Sequence, residues 1–180
     1  MASFCLAALA LLLLLTLAWR RKIRKSTERA SRPKVLANAE LVYLEKLFRI
    51  RYPIRLVAKI DRVYRLPGGS LVLVELKTRR QSRPYSSDII QLSAQRLAIQ
   101  EQTGEIVEPY GFVSISRNGR SGRLDSHRVP LLDAQALVRL HHRREAILAM
   151  RVVPNDAASE AACCGCAMKS RCDRFGAAGK

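Results

Sequence analysis

The sequence predicts an α/β domain built on a central mixed sheet flanked by helices and preceded by one apolar N-terminal helix. Three observations predict it. Two pairs of β-rich runs are each joined by turn-forming residues, helical patterns lie before, between and after those pairs, and residues 2–19 carry no charge. Helix and hairpin signals in alternation are the mark of an α/β layer order.

Taken in chain order, the apolar run comes first. At about 1.5 Å per residue a helix over it nearly matches a hydrocarbon core of about 30 Å. Trp19 would sit at the interface, and Arg20-Arg21-Lys22-Ile23-Arg24-Lys25 follows at once, which places the C-terminal side in the cytoplasm, expected at a bacterial inner membrane. A secretory signal peptide is the competing reading. Against it, no Lys or Arg precedes the apolar run and no small-residue cleavage site intervenes before the arginines. The expected division is an anchor at 1–19, a basic juxtamembrane linker at 20–33, a folded domain at 34–153 and a cysteine-containing tail at 154–180. Roughly 150 residues beyond the anchor suffice for one core.

Within the domain, residues 38–48 read as a helix carrying Glu40 and Glu45. Runs at 56–64 and 71–78, rich in Val, Leu and Ile, flank Leu66-Pro67-Gly68-Gly69-Ser70, so they form a hairpin. Residues 86–99 read as a helix that Ser86 or Ser87 can cap and Gly104 can end. A second hairpin joins 109–116 to 122–131 through Asn118-Gly119. Residues 133–150 close the domain as an amphipathic helix, with Leu137, Leu140, Ile147 and Leu148 inward and Arg139, Arg143 and Arg144 outward.

The first hairpin carries the chemistry. Side chains alternate along a strand, so Leu71, Leu73, Glu75 and Lys77 share one face while Val72, Val74 and Leu76 share the other. With Pro67-Gly68-Gly69 as a three-residue loop, Asp61 lies across from Glu75, their Cβ atoms about 5 Å apart. A two-residue loop would turn Asp61 to the opposite face. Two facing carboxylates suit Mg2+ or Mn2+, hard cations that take one or two carboxylates and keep several waters. An ammonium at Lys77 can hold the attacking water or offset charge developing on a phosphorane. An ordinary solvated hairpin also alternates Glu with Lys.

Written out, Ala58-Lys59-Ile60-Asp61-Arg62-Val63, a turn, and Leu73-Val74-Glu75-Leu76-Lys77-Thr78 resemble the PD-(D/E)XK nuclease superfamily, in particular its RecB-like branch, which includes the CRISPR-associated adaptation exonuclease. The resemblance runs over residues 37–172 and implies a restriction-endonuclease-like core. It implies metal ligation by Asp61 and Glu75, completed by an acid of the preceding helix, Glu40 in preference to Glu45. It implies catalytic roles for Asp61, Glu75, Lys77 and Gln91. Gln91 and Gln95, one turn apart, are similar to the branch's glutamine motif, which holds the site or the DNA, although a tyrosine often stands where Gln95 does. Amides on a solvated face are the plainer reading.

The tail holds Cys163, Cys166 and Cys172, a spacing that resembles three of the four [4Fe-4S] ligands of the CRISPR-associated members. The first cysteine of that set comes from upstream of the hairpin in the branch, and here that stretch has none, Cys5 lying inside the apolar run. Three thiolates with a fourth ligand such as Cys164 could instead hold Zn2+. His141 and His142 are expected to be solvated.

Charge points to the partner. Lys and Arg number 32 against 15 Asp and Glu, a formal +17, and the excess persists beyond the juxtamembrane run. Such a field favours a polyanion bound through its phosphates, single-stranded DNA or duplex ends, with Arg79, Arg80 and Gln95 as contacts. Attraction to anionic lipid beneath the anchor is a second use of the same charge, and a protein partner is compatible with it. The functional expectation is a membrane-anchored, divalent-metal-dependent DNA nuclease, an exonuclease by preference. Its alternative is a cleavage-inactive module that binds DNA or a partner at the membrane.

Overall fold

The structure, a computed structural model, describes residues 28–29, 31–117 and 124–155, with Thr16, Cys163 and Cys166. The expected anchor apart from Thr16, the Asn118-Gly119 turn and Cys172 lie outside the described residues. Among those described, no helix is long and apolar enough to cross a membrane.

Five strands form one sheet in the order β1-β2-β3-β4-β5: β1 (Glu40–Ile50), β2 (Leu56–Arg65), β3 (Leu71–Thr78), β4 (Val107–Ser116) and β5 (Asp125–Pro130). Helix α1 (Ser86–Thr103) carries the chain from β3 to the parallel neighbour β4, and α2 (Ala134–Leu148) follows β5. The other neighbours are antiparallel, so the sheet is mixed, as expected. By its internal contacts the chain divides into Met1–Val138 and Arg139–Lys180.

The expected helix at 38–48 is the strand β1 instead. Leu, Glu and Lys favour helix locally, and Leu41, Leu44 and Phe48 fall at helical spacing, but helix propensity is a weak prior. Pairing with β2 along its whole length, from Glu40–Arg65 to Ile50–Leu56, supplies ladder bonds and buries Phe48 completely, which overrides it.

The first hairpin takes the odd register. Leu66 and Ser70 close the loop, with Leu66 N donating to Ser70 O at 2.9 Å, and Gly69 adopts φ +89, a conformation that glycine reaches without steric cost. Arg62 accordingly faces Val74 and Arg65 faces Leu71. Alternation then separates the two faces of β3. Leu71 and Leu73 pack with Leu92, Ala98 and Ile99 of α1, while Val72 and Val74 pack with Leu36, Ala39, Tyr64 and Phe112 on the opposite face. Fully burying one such aliphatic side chain contributes about 1.5–3 kcal/mol.

Helix α1 begins after Tyr85 rather than at a serine cap. The Asp88 carboxylate accepts the Tyr85 N–H at 2.8 Å, the acidic half of a capping box, and Gly104 ends the helix at φ +71. Gly111 of β4 lies beneath α1. A methyl there would stand 3.1 Å from the Leu73 carbonyl oxygen, tighter than ordinary contact, and 3.5 Å from Leu92 Cδ1, so glycine eases the close approach of β4 to β3. Asp133 caps α2 by accepting the Ala136 N–H at 2.6 Å. Only Leu137 of α2 is buried; Leu140 and Leu148, expected inward, are exposed, and Ile147 is half-buried. Leu137 packs with Ile54 and Leu97 in a small separate cluster.

Candidate active site

Glu75 is 3 % exposed on the α1 side of β3, and every partner it has is a side chain placed by strand or helix periodicity. Gln91 and Gln95 sit one turn apart on α1 and so project side by side. Gln91 Nε2 donates to Glu75 Oε1 at 2.7 Å, and Gln95 Nε2 donates to Glu75 Oε2 at 2.8 Å. Lys77, two residues along the same strand face, places Nζ 2.9 Å from Glu75 Oε1 and donates to Gln91 Oε1 at 2.8 Å. Lys77, Glu75 and Gln91 thus close a triangle, with the amide of Gln91 acting as donor to the acid and acceptor from the amine. Buried carboxylates require such partners. Oε1 has both acceptor sites filled, and Oε2 keeps one.

Asp61 joins this group through a break in the ladder. The last β2–β3 pair is Arg62–Val74. One step further, Asp61 is half-buried, and its Oδ2 accepts the Leu76 N–H at 2.8 Å, taking a place that strand backbone would otherwise occupy. Continuing the register sets Asp61 across from Glu75. The facing position on β1 is Glu45, bracketed by the pairs Leu44–Arg62 and Lys46–Ile60, and Glu45 takes φ +48. Both strands change sides there. Ile60 and Val63 enter one apolar cluster although three residues apart, and Tyr43 and Phe48 meet edge to face although five apart, spacings that plain alternation forbids. Asp61 stands at this corner.

Several expectations need correction. Glu40 does not complete the site: it is exposed and paired with Arg65 at the far end of the hairpin, five residues from Glu45, or roughly 16 Å along a strand. Glu45 is the β1 acid beside Asp61 in register, and its carboxylate lies 3.7 Å from Lys59 Nζ. Among the described residues, no three acidic, histidine or cysteine side chains come together as a metal cage. Gln95 is no surface contact for DNA, since it is 1 % exposed and also donates to the Lys59 carbonyl at 3.1 Å. Both neighbours are acceptors, which fixes the orientation of its amide and leaves Oε1 buried without a hydrogen bond. Arg79 is half-buried, ion-paired with Asp88 at 2.5 Å and stacked over the Tyr85 ring at 4.3 Å, whereas Arg80 is exposed.

The Arg79–Asp88 pair is a feature that sequence reasoning missed. It ties the end of β3, two residues past Lys77, to the first turn of α1. Burial pulls the Asp88 carboxyl upward, but the Arg79 guanidinium and the Tyr85 amide outweigh it and hold the group below the usual aspartate value. An aspartate at the third helical position was the available signal. In the tail, Cys163 is buried and Cys166 exposed, neither in a disulfide, and Cys166 N donates to Cys163 O at 3.1 Å.

A carboxylate pair with an adjacent ammonium is a donor set suited to one hard divalent cation whose remaining positions go to water and phosphate oxygens. Free acceptor capacity at Glu75 Oε2 and the half-buried Asp61 carboxylate fits that use. Comparison with known proteins agrees with this chemistry. The family model described as the PD-(D/E)XK nuclease superfamily matches residues 6–173. Among solved structures, SSO0001 aligns with a TM-score of 0.50 at 17 % identity over 89 % of this chain and 70 % of its own. A protein of Eubacterium rectale, an exonuclease by provisional assignment, aligns with a TM-score of 0.43 at 13 % identity over 76 % of this chain and 56 % of its own. Comparison with curated proteins finds no match.

Proposed function

We propose, because this chain belongs to the PD-(D/E)XK nuclease superfamily, that it is a divalent-metal-dependent DNA nuclease. The observation that carries this reading is the closed triangle of Lys77, Glu75 and Gln91 beside the ladder break at Asp61. Asp61 and Glu75 would hold Mg2+ or Mn2+, which when bound supplies Lewis acidity to a phosphodiester and lowers the pKa of water.

The remaining roles fall to the chain's own residues. Gln91 holds Lys77 and Glu75 in fixed relation, so that the ammonium is presented rather than folded wholly onto the acid. Lys77, its side chain 28 % exposed, reaches solvent on the open side of the triangle and there orients water or offsets negative charge on the phosphoryl oxygens. Gln95 anchors Glu75 from beneath and helps exclude water from its buried side. Arg80 and the other exposed cations attract the DNA backbone.

The finer parts of the proposal rest on the sequence. Exonucleolytic action and a [4Fe-4S] cluster, or Zn2+, on Cys163, Cys166 and Cys172 follow from likeness to the RecB-like branch. Residues 1–19 as a single-pass anchor, with the domain at 34–153 and the tail at 154–180 on the cytoplasmic side, follow from the uncharged run and the basic residues after it.

The test is cleavage of single-stranded and duplex DNA by purified protein with Mn2+ or Mg2+ and with chelator. Metal-dependent cleavage that Asp61→Ala abolishes is the expected result. Undiminished cleavage by that variant would remove the assignment. A DNA-binding module without cleavage is the second reading, favoured by the absence of a three-ligand metal cage among the described residues, and binding without hydrolysis in the same assay would select it.

A further inference from the structure

We infer that the outer face of the β1–β2 hairpin, past the corner at Asp61, is a track for single-stranded nucleic acid that ends in a base-stacking platform at Tyr52. The β2–β3 ladder stops at Arg62, whereas β1 and β2 stay paired for six more residues to Ile50–Leu56, so this part of the hairpin parts from β3, which runs on to Thr78 beside β4. Its two faces differ completely. Ala58 and Ile60 are buried toward α1, while Arg55, Val57 and Lys59 alternate with them and are exposed.

Charge complementarity identifies the occupant. Arg49, Arg51, Arg55 and Lys59 are all exposed, and Glu45 beside Lys59 is the single acid on that face. Among the described residues, no carboxylate pairs with Arg49, Arg51 or Arg55. Four exposed cations against one acid, two on each arm of the hairpin with Val57 and Leu47 exposed between them, suit a polyanion followed along its backbone. Tyr52, at the turn between Arg51 and Arg55, is 79 % exposed. An aromatic ring left in water amid arginines is the arrangement that stacks an unpaired base, since every base offers a π-face and duplex bases are already stacked. The platform is firmly based, because Ile54, two residues on, is 7 % exposed and packs with Leu97 and Leu137. The exposed cations therefore hold an unpaired strand against the tip of the hairpin, and the preferred substrate is single-stranded or frayed at its end.

This inference specifies the substrate of the nuclease reading, and its test is kept separate from cleavage. Binding of the full chain to a labelled single-stranded oligonucleotide and to a blunt duplex is measured by fluorescence anisotropy in chelator, across a salt series. Tyr52→Ala should weaken single-strand affinity about tenfold and leave duplex affinity within twofold, while Tyr52→Phe retains it. Arg51→Ala with Arg55→Ala should flatten the slope of log affinity against log salt by about 1.4, the value for two lost phosphate contacts on a single strand. Circular dichroism melting checks that each variant is folded. Unchanged single-strand affinity in both variants overturns the track, as does equal loss of binding to anionic lipid vesicles with no loss for DNA. Loss of cleavage in Asp61→Ala with single-strand binding intact bears on the nuclease reading alone and leaves the track in place.

Discussion

Glu28 and Glu75 lie against opposite faces of the same sheet, at 5 % and 3 % exposure, and are held by different chemistry. Arg32 grips Glu28 with a fork, Nε on Oε1 at 2.8 Å and Nη2 on Oε2 at 2.9 Å, and the Tyr64 hydroxyl donates to Oε1 at 2.5 Å. That charge is neutralised by a planar partner whose side chain is itself 13 % exposed. Glu75 has two neutral amides and an ammonium whose side chain is 28 % exposed. Bidentate arginine commits both oxygens of an acid, whereas a lysine contributes a movable point charge. A carboxylate of the first kind locks structure; one of the second kind can still take a ligand.

The contrast can be broken from either side. Lys77→Met should reduce metal-dependent DNA cleavage by about a thousandfold, in the range set by removing a preorganised charge-stabilising group, with the melting temperature nearly unchanged. Initial rates in Mn2+ beside a calorimetric scan check it, and a large fall in melting temperature would make Lys77 structural instead. Glu28→Ala should do the reverse. It strands the Arg32 guanidinium and should destabilise the fold by about 3–5 kcal/mol, read by urea unfolding, while the rate per folded molecule stays the same.

Acidity probes the same difference. At Glu28 burial pulls the pKa up, but Arg32 and Tyr64 outweigh it and hold the carboxyl below its usual range, and Asp88 behaves likewise with Arg79. A carboxyl depressed in the folded state lends stability above its unfolded value, near 4, that is lost as pH falls through the folded value. Unfolding free energy should thus decline below about pH 4, and Asp88→Asn should flatten that decline. Tyr64 is pushed up to about 12, first by burial and then by its bond to Glu28. Its share of stability is complete below about 10 and vanishes as pH rises toward 12, and Tyr64→Phe should remove that alkaline loss. Smallest of all, Glu40→Ala should leave cleavage within about twofold, given its distance along the strand. A collapse of activity there would place the metal site elsewhere on the hairpin.

Much of the central arrangement was legible in the residues because it depends on short-range rules. A three-residue loop fixed the register from Arg65–Leu71 to Arg62–Val74, one step short of Asp61 and Glu75, and two-residue alternation put Lys77 beside Glu75. Helical spacing brought Gln91 next to Gln95. What was hidden depends on distant partners. β1 looked helical because Leu41, Leu44 and Phe48 fall three and four apart, and only the presence of β2 made it a strand. Glu40 was chosen on that helical premise and fell with it. Gln95 could not be recognised as buried without knowing how near α1 lies to β3. The corner at Glu45 and Asp61 leaves no mark in hydrophobic pattern, since it inverts the pattern halfway along two strands.

Gly111, the residue without a side chain under the helix, matters at the join of β4 to β3. An added carbon would press within 3.1 Å of the Leu73 carbonyl oxygen, while Leu92 of the helix would stand at ordinary contact, 3.5 Å away. It would wedge the two strands before it crowded the layer above. The seat of Glu75, two residues along β3 from Leu73, thus depends on a neighbour that contributes no side chain.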